Sequence, residues 1–364
     1  MQSRLFSDEY EWPIKVKIVK IYMAPLEGIT TYVFRNAYNK YYGGVDRYFT
    51  PFLTASHLKG RELREVHPDN NKGLDVVPQI LANDSEQFLE IARQLAELGY
   101  KEVNLNLGCP SGTVVSKKRG AGLLGDIKML DEFLNGIYEG ADKIGVQISI
   151  KTRIGMEFLS EWEDILSVYI KYPIKELIIH PRLRNEFYKG EVHMDAFRKA
   201  LNIMDASSLS SADKRSSKWG RFHLTYNGDI VDVASYKAVL SEIGDSDIMI
   251  GRGLLMNPEL ANQIQSSDYE VNDSDFVDEN PGEKPGGKPG EKPDKKVFKE
   301  FIDELVVNYE DEMSGEKQVV QKMKELWVYF AKGLGVSDRR LKELLKLNRL
   351  AEYRSIVQMI MSEL

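Results

Sequence analysis

The feature that most constrains the fold is a regular alternation of short β-rich apolar segments with longer segments of helical periodicity. Most of the β-rich segments are β-branched or almost uniformly apolar, as expected for parallel strands that helices cover. Eight strands are predicted, at residues 16–22, 46–50, 76–81, 102–107, 146–152, 176–180, 222–226 and 247–250.

Helices are predicted between these strands. They lie at residues 31–42, 84–98, 127–142, 160–171, 194–204 and 232–243. Eight strands with intervening helices in about 250 residues predict an α/β fold, the (β/α)8 TIM barrel. A doubly wound sheet is the structural competitor, but it usually has fewer strands and a GxGxxG turn after the first one. The corresponding segment here, "MAPLEGIT", lacks that pattern.

The chain of 364 residues is longer than a typical single domain, and its composition changes along its length. Residues 266–296 are rich in Pro, Gly, Glu and Lys, which predicts a disordered linker. From residue 297 onward the periodicity is helical throughout, which predicts a small C-terminal helical bundle. The predicted organisation is an N-terminal extension at 1–15, a barrel domain at 16–265, the linker at 266–296 and a helical domain at 297–364, with a surface insertion at 205–220.

The sequence also excludes several classes of protein. No apolar run is long enough to span a membrane, and the first fifteen residues lack the apolar block of a secretory signal. Cys109 is the only cysteine, so no internal disulfide can form, which favours a reducing cytoplasm. One cysteine and scattered histidines exclude a zinc site. We therefore expect a cytoplasmic protein, a monomer, without a metal ion.

Charge is unevenly distributed along the chain. The net charge of −7 gives no support for a nucleic-acid partner of the chain as a whole. Residues 317–354, however, carry ten Lys or Arg against four Asp or Glu. A mixed-charge helix surface and a surface that faces nucleic acid are both compatible with this pattern.

Polar residues follow nearly every predicted strand, and ligands of parallel barrels bind at these carboxyl ends. The strand-end residues are Ala24, Pro25 and Leu26; Thr50 and Pro51; Gln79; Asn106 and Cys109; Lys151 and Arg153; His180 and Arg182; Asn227, Gly228 and Asp229; Gly251, Arg252 and Gly253. The last two groups form glycine-containing turns where barrels commonly hold a phosphate. Isolated cysteines are more often buried hydrophobes than catalysts, but Cys109 lies in a Gly-Cys-Pro turn beyond its strand, which favours function.

Together these segments resemble the tRNA-dihydrouridine synthase family. The matching segments are "MAPLEGIT", "PQIL", "NLNLGCPS", "SIKTRIG", "IIHPR" followed by "FYKG", "YNGDI" and "MIGRG". The resemblance covers residues 17–262 and extends more loosely through the C-terminal helices, where "QKMKELWVYFAKGLG" is similar to the helical domain of that family.

The resemblance implies an FMN-binding barrel and a tRNA-binding helical domain. NADPH, or NADH, would reduce FMN, and the reduced flavin would transfer hydride to C6 of a uracil while Cys109 protonates C5. The implied FMN-binding residues are Pro25, Leu26, Glu27, Gln79, Lys151, His180, Asn227, Gly228, Asp229, Gly251 and Arg252. Asn106 and Arg153 are implied to contact the uracil, and Tyr188 to line its pocket.

The chemistry of these residues agrees with that implication. A thiol with a pKa near about 8.5 is mostly protonated at neutral pH and can serve as an acid. A target base must leave its stack to reach a barrel mouth, which suits a tRNA loop better than a duplex. Lys117, Lys118 and Arg119 follow Cys109 and are predicted to contact phosphates that flank the base.

Two alternative functions remain open. An FMN-dependent barrel oxidoreductase for a small molecule, of the dihydroorotate dehydrogenase type, also places a cysteine-containing strand end against a pyrimidine. A non-catalytic RNA-binding barrel is the second alternative, and it predicts a protein without flavin. The basic helical segment after the barrel favours tRNA over a small substrate, which has no need of it.

Overall fold

The structure is a computed structural model that describes residues 19–209, 222–244, 246–273 and 293–364. The predicted extension at 1–15 and residues 210–220 of the predicted insertion lie outside these ranges. Nine parallel strands are described: β1 (Ile21–Met23), β2 (Arg47–Phe49), β3 (Val76–Val77), β4 (Gln79–Ile80), β5 (Glu102–Leu107), β6 (Gln147–Arg153), β7 (Glu176–His180), β8 (His223–Tyr226) and β9 (Asp247–Ile250).

The strands form a nearly closed barrel. Their order is β3-β2-β1-β9-β8-β7-β6-β5-β4, with every neighbouring pair parallel. β3 and β4 are the two halves of the single strand predicted at 76–81, and they pair with β2 and β5, the two ends of the remaining sheet. Pro78 separates the halves because proline has no N–H to donate to a ladder. The predicted barrel of eight strands is therefore confirmed, with its third strand divided.

Helices follow the strands and surround the barrel. The described helices are α1 (Tyr32–Tyr41), α2 (Gly60–Val66), α3 (Ser85–Glu97), α4 (Gly112–Val115), α5 (Ile127–Ile144), α6 (Glu161–Tyr169), α7 (Met194–Leu209), α8 (Val233–Ile243), α9 (Arg252–Met256), α10 (Leu260–Asp273), α11 (Lys295–Glu312), α12 (Glu316–Leu334), α13 (Asp338–Lys346) and α14 (Leu350–Glu363). No helix of the described part of the chain is long and apolar enough to cross a lipid bilayer.

Local capping explains where the predicted helices begin and end. The Asp84 carboxylate accepts a hydrogen bond from the Gln87 N–H at 2.8 Å, which caps α3 at its predicted start. Asp126 caps α5 in the same way, through the Met129 N–H at 3.1 Å. Gly145 ends α5 with a φ of 80°, a conformation that glycine adopts without strain.

The predicted linker at 266–296 is wrong at both ends. α10 continues to Asp273 and α11 already begins at Lys295, whereas residues 274–292 lie outside the described part of the chain. Ser267 is fully buried, and Asp268 accepts a hydrogen bond from the Tyr236 hydroxyl at 2.8 Å. Packing of α10 on α8 thus stabilises a polar segment whose composition alone suggested disorder.

Four C-terminal helices, α11 to α14, form the predicted bundle and share one continuous hydrophobic core with the barrel. The Phe301 ring on α11 lies 5.8 Å from the Phe34 ring on α1, edge to face. Hydroxyls of Thr31 and Tyr309 are hydrogen-bonded at 3.2 Å. The bundle is therefore packed against the helices and loops around β1 and β9.

Candidate active site

A cavity of about 410 Å³ lies at the carboxyl ends of the barrel strands, within the size range of small-molecule sites. The carboxyl end of β6 and the loops after β1, β2, β5, β7, β8 and β9 contribute to its wall, and α12 contributes one residue. The lining residues are Ala24, Pro25, Leu26, Glu27, Pro51, Phe52, Asn106, Gly108, Cys109, Pro110, Lys151, Arg153, His180, Tyr188, Asn227, Gly228, Asp229, Ile230, Val231, Gly251, Arg252, Gly253 and Tyr329.

Cys109 lines this cavity in a turn just beyond β5. The Asn106 Oδ1 accepts hydrogen bonds from the N–H groups of Gly108 at 3.0 Å and Cys109 at 2.9 Å. Gly120 follows with a φ of 55°, and a Cβ there would lie 3.0 Å from the Cys109 Cβ. Burial raises the pKa of the Cys109 thiol, although nearby positive charge opposes this effect. The turn therefore holds a protonated thiol at the cavity wall at neutral pH.

A chain of hydrogen-bonded, buried amide side chains orients Asn106 from deeper in the barrel. Asn106 Nδ2 donates to Gln79 Oε1 at 2.7 Å, and Gln79 Nε2 donates to Asn104 Oδ1 at 2.8 Å. Asn104 in turn donates to the Ser149 hydroxyl at 3.0 Å. Gln79 is not among the residues that line the cavity, and its predicted contact with FMN stays a prediction. It pairs in register with Asn104, two residues before Asn106, and so lies one layer deeper in the barrel.

Arg153 joins the cysteine turn to the loop after β7. Its guanidinium donates to three backbone carbonyls, those of Gly108, Leu183 and Phe187. Burial lowers the pKa of Arg153 to about 10, so the side chain stays charged at neutral pH. Arg153 thus holds two active-site loops together and also places a positive charge near the thiol.

Lys151 and His180 lie where positive charges are concentrated. Burial, assisted by the neighbouring Arg153, lowers the pKa of Lys151 to about 7. Burial also holds the pKa of His180 well below its usual value, and the surrounding Lys and Arg charges act in the same direction. His180 is therefore neutral at neutral pH. The surrounding Lys and Arg charges favour an anionic ligand in the cavity.

Two closely packed turns, which follow β8 and β9, form another part of the cavity wall. Asp229 bridges two cations, accepting hydrogen bonds from Arg182 Nη2 and from Arg252 Nη2. A Cβ on Gly228 would lie 1.9 Å from the Tyr226 hydroxyl, and one on Gly253 would lie 2.2 Å from the Ile230 carbonyl oxygen. These positions accept only glycine, which brings the backbone close to any ligand in the cavity.

Tyr188 lies between two cationic side chains. The guanidinium carbons of Arg153 and Arg252 lie 5.3 Å and 5.0 Å from the centre of its ring. The same ring is stacked on His180, with centroids 6.1 Å apart. The prediction that Tyr188 belongs at the cavity agrees with its place in the lining.

Lys117, Lys118 and Arg119 do not line the cavity. Arg119 donates to Asn83 Oδ1 at 3.2 Å and to Gln87 Oε1 at 2.9 Å, so two of its five N–H donors are used within the barrel. Lys118 pairs with Asp126 at 3.2 Å, and both lysines are exposed.

Sequence reasoning missed Tyr329, which reaches the cavity from α12. On the same helix, Lys322 Nζ donates to the Gly28 carbonyl oxygen at 2.6 Å, in the loop after β1. No local signal marks Tyr329, because its position depends on how the bundle packs against the barrel.

Comparison with known proteins agrees with this arrangement. A family model, "Dihydrouridine synthase (Dus)", matches residues 22–354. A "Probable tRNA-dihydrouridine synthase" of Staphylococcus aureus (strain COL) is 30% identical over 240 residues, which cover 65% of this chain and 68% of that protein. "Probable tRNA-dihydrouridine synthase 2" of Bacillus subtilis (strain 168) is 28% identical over 247 residues, covering 65% and 69%.

Among solved structures, a mutant of morphinone reductase in complex with tetrahydroNAD is similar at a TM-score of 0.45 and 10% identity, over 68% of this chain and 86% of that one. The family model spans both the barrel and the bundle, and the cavity, the cysteine turn and the glycine turns all lie within the matched residues. The chain therefore belongs to the dihydrouridine synthase family, a family of FMN-dependent oxidoreductases.

Proposed function

We propose that this protein reduces the C5–C6 double bond of a uridine in tRNA, with FMN as cofactor, NADPH as electron source and Cys109 as proton donor. The observation that carries the proposal is the protonated thiol of Cys109 on the wall of a cationic cavity at the carboxyl end of β5. Family membership and the names of the curated relatives support the substrate.

The cavity suits FMN in both size and charge. Its volume of about 410 Å³ lies in the range of small-molecule sites, and its cations suit a phosphate and an electron-rich ring. Arg252 and the backbone at Gly228 and Gly251 would hold the phosphate. Lys151 and His180 would contact the ring, together with the loop formed by Pro25, Leu26 and Glu27. FMN, when bound, supplies the hydride that the uracil receives at C6.

Cys109 would complete the reduction by donating a proton to C5 of the pyrimidine. Because burial raises the pKa of the thiol, the proton is present at neutral pH. The charges of Arg153 and Lys151 favour the thiolate that remains after transfer, and water can then reprotonate it. One hydride at C6 and one proton at C5 together convert the double bond to a single bond.

Asn106 and Arg153 would act first as positioning residues. The carbonyl oxygen of the Asn106 side chain holds the N–H groups of the cysteine turn, and Arg153 holds the Gly108 carbonyl. Among the described residues, the Asn106 amide nitrogen donates only to Gln79, so a second N–H remains for a uracil carbonyl.

The function is tested with the full-length protein and an unmodified tRNA transcript. We expect purified protein to show flavin absorbance, and we expect NADPH to drive the gain of two hydrogens by a uridine, read by mass spectrometry of the nucleosides. Protein that binds no FMN would contradict the proposal. Flavin reduction without dihydrouridine, accompanied by turnover of a small pyrimidine, would support the small-molecule alternative.

A further inference from the structure

Large apolar side chains are exposed on the two loops that follow β6 and β7. The exposed fractions of Phe158, Leu159 and Phe187 are 64%, 51% and 42%. Single exposed apolar residues are common on protein surfaces, but a concentration beside a catalytic cavity indicates a binding surface.

Backbone hydrogen bonds hold these two loops side by side. The Arg184 N–H donates to the Gly155 carbonyl at 2.9 Å, and the Asn185 N–H donates to the Met156 carbonyl at 3.1 Å. Phe158 lies two residues beyond Met156, and Phe187 lies two residues beyond Asn185. The exposed side chains therefore occupy adjacent loops, and Phe187 directly precedes Tyr188, which lines the cavity.

The backbone at Phe187 is held in an unusual conformation. Its φ is 53°, a backbone angle that residues other than glycine rarely adopt. Arg153 donates to the Phe187 carbonyl and so stabilises this conformation from inside the barrel. Strained backbone of this kind persists where surrounding contacts determine it, and it is concentrated at functional sites.

One cationic side chain, Arg184, lies beside one of the exposed rings, Phe187. The Arg184 guanidinium carbon lies 5.4 Å from the centre of the Phe187 ring. Its Nε is buried without a hydrogen-bond partner in the described part of the chain. Among the described residues, no such cation lies beside Phe158 or Leu159, which precede the acidic first turn of α6. Surfaces that bind single-stranded nucleic acid use aromatic rings on which bases stack, so the rings rather than the local charge carry the inference here.

Phe158 and Leu159 follow a strand that lies across the barrel from the helical bundle. In the ring of strands, with β3 and β4 counted as one, β6 is opposite β1. The bundle meets the mouth at β1, through Lys322 and Gly28, and contributes Tyr329 to the cavity. A strand of RNA that crosses the mouth would therefore contact the bundle on one side and the apolar rim on the other.

We propose that Phe158, Leu159 and Phe187 form a stacking surface for the unpaired nucleotides that flank the target uridine in an RNA loop. The proposal rests on the proposed function. A base that leaves its stack exposes the faces of its neighbours, and aromatic side chains can cover those faces without reading their sequence. The stacking surface thus stabilises the opened loop while the uridine occupies the cavity.

The test compares alanine substitutions on the stacking surface with an alanine substitution at the far end of α6. Phe158→Ala, Phe187→Ala and the double variant remove the rings, and Phe187→Trp restores an aromatic face. Ile170→Ala is the matched control, because Ile170 is 38% exposed at the opposite end of α6. Binding of an unmodified tRNA transcript is measured by fluorescence anisotropy across a salt series, and KM for tRNA is measured alongside.

We expect each alanine variant to bind tRNA about 5-fold to 100-fold more weakly, the range found for base–aromatic stacking. The salt dependence should not change, because the substitutions leave every phosphate-binding cation in place. Flavin content and NADPH oxidation without RNA should equal those of the wild type, and Phe187→Trp should recover the affinity.

Wild-type affinity for tRNA in the double variant would refute the stacking surface while leaving the proposed function intact. A smaller salt dependence in the variants would also contradict it, since that result indicates that fewer phosphates are neutralised. A wild-type protein that forms no dihydrouridine would refute the proposed function itself.

Discussion

At the scale of single residues, the site is built from buried side chains that position a few reactive ones. Cys109 obtains its orientation from Asn106, and Asn106 obtains its own from the buried amides beneath it. Arg153 fixes the same turn from the side through the Gly108 carbonyl. Under the proposed mechanism, removing a supporting residue would affect catalysis through the thiol's position, whereas removing Cys109 would remove the proton donor.

Replacing Cys109 with alanine should separate the two half-reactions. Cys109→Ala keeps the cations and glycine turns of the cavity, so we expect FMN binding and NADPH oxidation to remain near wild-type levels. Dihydrouridine formation should fall by about 100-fold or more, because general-acid catalysis is typically worth that much. Both rates are measured by rapid mixing, with and without tRNA.

Serine provides a matched control for this substitution, since Cys109→Ser keeps the size but is a much weaker acid. Activity of Cys109→Ser near that of the alanine variant is the expected result. Full tRNA reduction by Cys109→Ala would show that another group donates the proton.

We expect the Lys151 side chain to lower the stability of the folded protein and to increase its affinity for a ligand in the cavity. The pKa of Lys151 is about 7 in the folded protein without ligand and 10.5 as its ordinary value. The unfolded chain therefore binds more protons between these values, so stability rises with pH across that range and the penalty is fully present below about pH 7. Lys151→Met removes the penalty.

We expect cofactor-free Lys151→Met to have a higher Tm than the wild type at pH 7, with a smaller difference at pH 9.5. Its affinity for FMN should be about tenfold lower, because methionine cannot supply the charge-assisted hydrogen bond of the ammonium group. Scanning calorimetry and flavin-fluorescence titration measure the two effects, and Lys143→Met on the exposed end of α5 is the control. Unchanged Tm and unchanged affinity would contradict a buried, ligand-facing lysine.

At the scale of secondary-structure elements, one helix outside the barrel completes the cavity. α12 packs closely on α9, and a Cβ on Gly333 would lie 1.7 Å from the Met256 carbonyl oxygen. The same helix places Tyr329 in the cavity and Lys322 on the loop after β1. The cavity therefore depends on the distance between α12 and the barrel.

Gly333→Ala should move α12 away from α9. Overpacking at such a contact costs roughly 1–3 kcal/mol of folding stability, and the shift should weaken FMN binding because Arg252 and Tyr329 both line the cavity. Lys332→Ala, the exposed neighbouring position on α12, is the control and should behave as the wild type. If Gly333→Ala keeps its Tm and its FMN affinity, the close contact between the helices is not required.

At the scale of the whole molecule, the barrel and the bundle form one packed unit with an exposed basic segment. On α13, Arg340 pairs with Glu343 and Glu363. Lys342 and Lys346 are exposed on that helix and form no ion pair within the described ranges. These two lysines can therefore meet phosphates without first breaking an ion pair within the protein.

Neutralising both lysines, as Lys342→Gln with Lys346→Gln, should weaken binding of every tRNA transcript. The slope of log K against log[salt] should fall by about 0.7–0.9 for each phosphate that is no longer neutralised. Flavin binding and NADPH oxidation should remain unchanged, and Lys143→Gln serves as the control for total charge. An unchanged slope would show that α13 does not contact tRNA.

The sequence by itself determined most of the strands and helices and the end of the barrel at which the site lies. Apolar periodicity, the Asp84 cap and the strand-end residues depend on neighbours along the chain, so the barrel and the position of Cys109 could be predicted. Tertiary packing decided the rest. It placed Gln79 one layer below the cavity, used Arg119 within the barrel, extended α10 through a polar segment and brought Tyr329 into the cavity. These outcomes depend on contacts between residues far apart in the chain, which local patterns do not encode.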